Sequence, residues 1–273
     1  MIKKLATVVD DPDLARGHVR EAVQSARAIG AELAVTMLTA APMIAAELAP
    51  FGGLYLPEAE LRADAREDMM RLRAHLDAAD REIRIGGFYG DVSWLAHELR
   101  GADHIADLIL IGPPSSWSIP WLRRHTIGTL LMAAATPLLL VPEGQAFVPI
   151  RRAVLGWKPS SESIRAMRDL MSLAEPGAHI DIVMIERHAE QQDDLTGSNG
   201  VAAYLESHGF EVACHRVLRE VSTAEQLQRY ALDTEGDLLV VGAYAHSRIR
   251  EVLFGGVTRE LIASSRIPVL LSR

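Results

Sequence analysis

One cysteine, few aromatics, a deficit of positive charge and no long apolar run set the first limits. Cys214 stands alone, so no disulfide can close within the chain, and the paired-cysteine spacings of zinc and redox sites are missing. It is expected to be a buried small residue on a strand rather than a reactive thiol. No apolar run approaches the ~18 residues of a membrane span, and the lysines of Met1-Ile2-Lys3-Lys4 run into Asp10 and Asp11 rather than into a signal peptide. A soluble, cytoplasmic protein without membrane contact is the expectation. Lys and Arg number 28 against 36 Asp and Glu, a net charge of -8. That argues against nucleic-acid binding, which needs a basic face. It leaves room for a small nucleotide, which needs only a few local donors. There are ten histidines but no His-Glu-x-x-His pattern, and His97 and His104 are spaced for nothing in particular, so no metal is expected. Ser115, Ser116 and Ser118 lack the glycine-flanked turn of a nucleophile.

What is present is aliphatic and alternating. Hydrophobic residues make up 49% of the chain, enough for substantial cores. Short continuous apolar runs read as strands at Leu5 to Val9, Leu33 to Leu38, Ile83 to Ile85, Asp107 to Ile111 and Leu138 to Val141. Amphipathic stretches separate them, notably Leu14 to Ile29, expected to start at Asp11-Pro12 or nearby Asp13 and closed by Gly30, and Glu58 to Ala79. Gly86-Gly87 is expected to loosen the third strand, and Ala40 to Pro57 reads as a covering loop. A helix is expected around Leu122 to Ala135. After Pro142 to Pro149 the pattern begins again. Strands fall at Arg152 to Trp157, Ile180 to Ile185, Glu211 to Val217, Asp237 to Val241 and Val269 to Leu271. Ser160 or Ser161, and Ser222-Thr223, are helix caps, Gln191 to Gly200 reads as a polar loop, and Gly209 ends a helix.

The second half repeats the first. Asp107-Leu108-Ile109-Leu110-Ile111-Gly112 matches Asp237-Leu238-Leu239-Val240-Val241-Gly242, about 130 residues on. Thr136-Pro137-Leu138-Leu139-Leu140 matches Ile267-Pro268-Val269-Leu270-Leu271. The fold class is therefore α/β: two tandem, doubly wound, parallel five-stranded sheets of Rossmann-like type, over residues 1–145 and 150–273. In such sheets a ligand sits at the topological switch point, outside the carboxyl ends of the strands.

The closing segment carries the chemistry. A buried strand runs into Gly242-Ala243-Tyr244-Ala245-His246-Ser247-Arg248, and Gly255-Gly256-Val257-Thr258 then opens a helix. Glycines let backbone amides approach a phosphate, and the helix amino terminus favours an anion. His246, Ser247 and Arg248 are candidate phosphate contacts or a solvated loop. The competing reading of Gly242, Gly255 and Gly256 is purely structural: a turn and close helix–strand packing.

This segment, with its strand before and the Pro268 strand after, resembles the universal stress protein family, in tandem two-domain form, over nearly the whole chain. The family's nucleotide-binding members carry a glycine, two residues, a second glycine, nine residues, then a glycine followed by serine or threonine. The resemblance implies an adenine nucleotide alpha hydrolase-like fold and ATP or a related adenine nucleotide at Gly242, Ala245, His246, Ser247, Arg248, Gly255, Gly256, Val257 and Thr258. It also implies an aspartate at the end of the first strand, against ribose hydroxyls or the adenine edge. Two departures stand out. Ala245 replaces the second glycine, where a positive φ would cost roughly 1 kcal/mol. Lys158, a further candidate nucleotide contact, stands where the second half should carry the aspartate; lysine accepts no hydrogen bond but could meet a phosphate instead. The first half keeps Asp10 and Gly112 but follows them with Pro113 and Pro114, which remove donors. There Arg124 and His125 are expected to fill the cradle unless they fold outwards, and Trp117, Pro120 and Trp121 to form an exposed aromatic patch or a cover over it. The resemblance further implies an intramolecular pseudo-dimer through the last strands, with association into a homodimer. A stress-response sensor or adaptor, not an enzyme, is the expected function. The alternatives are a nucleotide-free adaptor with a protein partner and, ranked last for want of a general base, a slow nucleotide hydrolase.

Overall fold

The computed structural model describes residues 2–40, 58–76, 80, 83–90, 92–99, 105–134, 136–186, 196–243 and 255–273. Ten strands form one sheet: β1 (Lys4–Val9), β2 (Glu32–Ala40), β3 (Arg84–Gly90), β4 (Leu108–Ile111), β5 (Leu138–Leu140), β6 (Ile150–Gly156), β7 (Ala174–Glu186), β8 (Glu211–Leu218), β9 (Leu238–Gly242) and β10 (Val269–Ser272). Their spatial order is β3-β2-β1-β4-β5-β10-β9-β6-β7-β8. Read outward from the middle, each half has the same doubly wound order, and pairing within each half is parallel. The halves meet where β5 and β10 pair antiparallel, Leu140 opposite Val269 and Leu138 opposite Leu271. All of these residues are fully buried, so the joint is apolar core and not a surface contact.

Helices cover both faces. One face carries α1 (Arg16–Ile29), α2 (Glu58–Ala74), α5 (Ser161–Leu173) and α6 (Thr196–Ser207), packed on a core that runs from Leu5 and Val35 through Leu139 to Leu155 and Val240. The other carries α3 (Leu95–Glu98), α4 (Pro120–Ala133), α7 (Thr223–Asp233) and α8 (Gly256–Ala263), over a core from Val8 and Ile111 through Leu140 to Val241 and Leu271. Helix ends follow local chemistry. Ser160 and Ser222 accept hydrogen bonds from Ser163 N and Glu225 N. Gly30 ends α1 in the left-handed region, φ 64°, which a Cβ would oppose.

The repeat extends to individual hydrogen bonds. Asp107 Oδ2 accepts from Lys3 N and Lys4 N at 2.8 and 3.0 Å, and Asp237 Oδ2 from Arg151 N and Arg152 N at 2.8 and 2.9 Å. In the ladders Leu5 stands opposite Leu108 and Ala153 opposite Leu238. That register makes Asp10 and Lys158 counterparts.

Four expectations change. β3 passes through Gly86-Gly87 without loosening, because β2 pairs with it along its whole length. Residues 196–200 are helical, not loop, since α6 is held by Leu205, Val201 and Ala202 against the core. Helix α1 starts at Arg16, not at Asp11 or Asp13. Asp11 instead makes a turn, its Oδ1 accepting from Asp13 N and Leu14 N. Cys214 is exposed, because β8 is an edge strand without full cover on either face. Partial burial and nearby Glu206 raise its pKa, which opposes thiolate chemistry.

Candidate functional site

In the second half, β9 ends at Gly242 beside β6 on one side and β10 on the other, at the switch point of the sheet. Its glycine is sterically required. A Cβ at Gly242 would lie 2.6 Å from Ser163 N and 2.7 Å from the Glu162 carbonyl carbon, both backbone atoms of the first turn of α5. Gly255 and Gly256 differ. Gly255 is the N-cap of α8, with φ -62° and ψ 157°, and among the described residues no side chain caps the helix. A Cβ at either glycine meets no described atom within 4 Å, and neither has a positive φ. At the first helical position alanine would be the more stable choice by roughly 0.5–1 kcal/mol. The packing reading thus accounts for Gly242 and leaves Gly255 and Gly256 without a structural reason among the described residues.

The helix behind them is well seated. Thr258 is buried and Val257 packs against the core, with Leu261 and Ile262 below. Val257 and Thr258 can therefore offer backbone amides at this helix end, but their side chains face the protein. Lys158, exposed, follows Trp157 beyond the carboxyl end of β6. Ala245, His246, Ser247 and Arg248 lie outside the described residues.

In the first half the equivalent place is filled by the protein itself. Asp10 accepts from Ser118 Oγ at 2.8 Å, from Ser118 N at 3.1 and 3.2 Å and from Ile119 N at 3.3 Å. It thereby serves the amino end of α4, whose own N-cap Ile119 has no capping side chain. Burial raises the Asp10 pKa despite these bonds. A Cβ on Gly112 would run into Ser116 Oγ at 2.4 Å and the His18 ring at 2.7 Å. Trp117 is buried as a cover, while Trp121 is exposed and stacks on His125, centroids 4.9 Å apart. Arg124 is exposed, so the residue that fills the space is its neighbour Arg123. Only 3% exposed, Arg123 donates from Nε to Gly112 O at 2.9 Å and from Nη1 to Ile262 O at 2.6 Å. Burial lowers its pKa to about 10, which leaves it charged at neutral pH.

His18 completes this interior. Thr7 Oγ1 donates to Leu110 O at 2.9 Å, so the 2.8 Å contact with His18 must be a bond donated by Nε2–H. Nδ1 then carries no proton and has no partner among the described residues. Burial first, then the charge of Arg123, lowers the His18 pKa to about 4, so the ring is neutral. Arg123 and His18 were both missed in the sequence. Arg123 has a faint signal: with Ile127 and Leu130 it lies at helical spacing on a buried stripe, where a charge demands a partner.

Relatives agree with this architecture. Residues 151–273 match the model of the Universal stress protein family. Over these residues, a little under half of its length, the chain is similar to that family. It is 25% identical over 147 residues to Universal stress protein Slr1230 of Synechocystis, covering 53% of this chain and 49% of that one. It thus spans about half the length of the curated relative it matches. Its fold resembles that of a universal stress protein from Archaeoglobus fulgidus, with TM-score 0.65 and 14% identity over 98% of this chain and 96% of the other. A universal stress protein from Pseudomonas aeruginosa aligns with TM-score 0.56 and 13% identity, over 99% and 93%. These likenesses show the fold: an α/β chain with a large, mostly parallel sheet. No described helix is long and apolar enough to cross a membrane.

Proposed function

We propose that the chain is a cytoplasmic stress-response accessory protein that acts by binding, as two domains over residues 1–145 and 150–273. In this reading the second domain holds ATP or a related adenine nucleotide, and the first has given up its site. The observation that carries it is the contrast between glycines. Gly242 is fixed by packing, whereas among the described residues nothing crowds Gly255 or Gly256 and no side chain caps the amino end of α8. That end presents backbone amides and the positive pole of the helix dipole, a setting suited to phosphate. Gly255, Gly256 and the amides of Val257 and Thr258 would hold the phosphates, joined by His246, Ser247 and Arg248, which precede them in the sequence. The protein is not an enzyme in this reading, and the chain works as an intramolecular pseudo-dimer that can pair with a second copy.

Lys158 favours a second reading. It stands in the register of Asp10 and cannot accept a bond from ribose. A chain of this kind would be a nucleotide-free adaptor working through a protein partner.

Denaturing the purified protein and assaying the supernatant for nucleotide, followed by titration with ATP in a calorimeter, separates the two. Binding that Gly255→Glu abolishes without loss of folding supports the nucleotide reading. No binding up to millimolar ATP leaves the adaptor. Product formation would revive slow hydrolysis.

A further inference from the structure

The last helix of each half receives a guanidinium from the other half. Arg123 in α4 donates to Ile262 O near the carboxyl end of α8, and Arg273 donates from Nη1 to Met132 O near the carboxyl end of α4, at 3.2 Å. Each acceptor lies in the last turn of its own helix. A cation in the last turn satisfies open carbonyls and complements the helix dipole. The two contacts are unequal. Arg273 is exposed, whereas Arg123 is buried and holds two carbonyls at once, Gly112 O and Ile262 O.

What places Arg123 is the set of residues that the sequence marks for a ligand. Asp10 binds the 118–119 segment and seats the amino end of α4. Gly112 supplies the carbonyl that takes Nε, and it has no room for a side chain between Ser116 and His18. The remnant site of the first half is spent on holding one guanidinium, and that guanidinium bears on α8. This helix is only eight residues long. At ~1.5 Å per residue, a restraint at Ile262 acts roughly 9 Å from Gly256.

We infer that Arg123 is a positioning residue for the second-half site, fixing α8 from the first half so that its amino end is held ready for an anion. The link to binding rests on the nucleotide reading above; the restraint on α8 does not.

Hydrogen–deuterium exchange on the ligand-free, full-length protein tests the restraint, and ATP calorimetry tests the link. In Arg123→Gln, amides of residues 256–263 should exchange about tenfold faster than in wild type, while β1 and β6 stay unchanged. Arg123→Lys, able to keep one of the two acceptors, should be intermediate. Where ATP binds the wild type, its affinity for Arg123→Gln should fall severalfold. Unchanged α8 exchange, or faster exchange spread evenly over the chain, overturns the inference. So does equal ATP affinity in a variant whose α8 has loosened, and that result leaves the nucleotide reading standing. A loosened α8 in a protein whose wild type takes no ATP supports the restraint and removes the nucleotide. Should Arg123→Gln fail to fold, Asp10→Ala decides. It should speed exchange in the first turn of α4 and, to a smaller degree, in α8; an unaltered α8 overturns the inference.

Discussion

Gly242→Ala and Gly256→Ala should shift stability in opposite directions, although both add one methyl group to a glycine of the same motif. At Gly242 the new Cβ would lie 2.6 Å from Ser163 N, 2.7 Å from the Glu162 carbonyl carbon and 3.0 Å from Glu162 Cβ. Two of these are backbone atoms, so no rotamer change can relieve the contact. Overpacking of this kind costs about 1–3 kcal/mol. The turn that must yield is also the one whose Ser163 N donates to Ser160 Oγ at 3.1 Å. Losing that cap adds about 1 kcal/mol. The sum, about 2–4 kcal/mol, corresponds to a fall in Tm on the order of 5–10 °C for a chain of this size. At Gly256 the added Cβ meets no described atom and the backbone is ordinary helix. There alanine should leave Tm unchanged or raise it, by roughly 0.5–1 kcal/mol of stability. Scanning calorimetry of the two variants beside wild type is the assay. A Gly242→Ala protein as stable as wild type, or equal losses in both, would refute the division between a packing glycine and an open one.

Acid should weaken the fold through His18. Its folded-state pKa, about 4, lies below the ordinary value of 6.5. The unfolded chain therefore takes up the proton first, and stability is complete above pH 6.5 and falls as pH drops towards 4. The loss between pH 7.5 and pH 5 is about 2 kcal/mol from this residue. Urea unfolding across that range should show this slope in wild type and a flatter one in His18→Gln; equal slopes would exclude the residue. Ser160→Ala should cost about 1 kcal/mol by the same assay, with no change in m-value, as loss of a single helix cap requires. Lys158→Asp should strengthen ATP binding if the missing acceptor at the end of β6 limits affinity. If Ala245→Gly does so instead, the missing loop glycine is the limiting defect.

Much of the fold was legible because its signals are local. Continuous apolar runs such as Leu108 to Ile111 sit in a sheet covered on both faces, and Ser160 and Ser222 cap helices three residues before the amides they serve. The repeat was legible because it survives both as sequence and as bonds, in Asp107 and Asp237 alike. What could not be read depends on distant partners. Arg123 finds its acceptor 139 positions away, across the joint between halves. Asp10 looked like a ligand residue because nothing in its neighbourhood shows that Ser118, 108 positions on, will claim it. Cys214 looked like a core residue because strand composition does not reveal that β8 lies at an edge. Gly255 and Gly242 look alike as letters, and only the position of α5 separates them.

The central claim is that one half of the chain keeps an open anion cradle while the other has closed its own. Calorimetric titration of the full-length protein with ATP, beside a folded Gly256→Glu variant, tests it most directly. The account predicts one ATP per chain for wild type and none for the variant. Two ATP per chain, or binding that persists in Gly256→Glu, would contradict it, as would the absence of any heat of binding up to millimolar ATP.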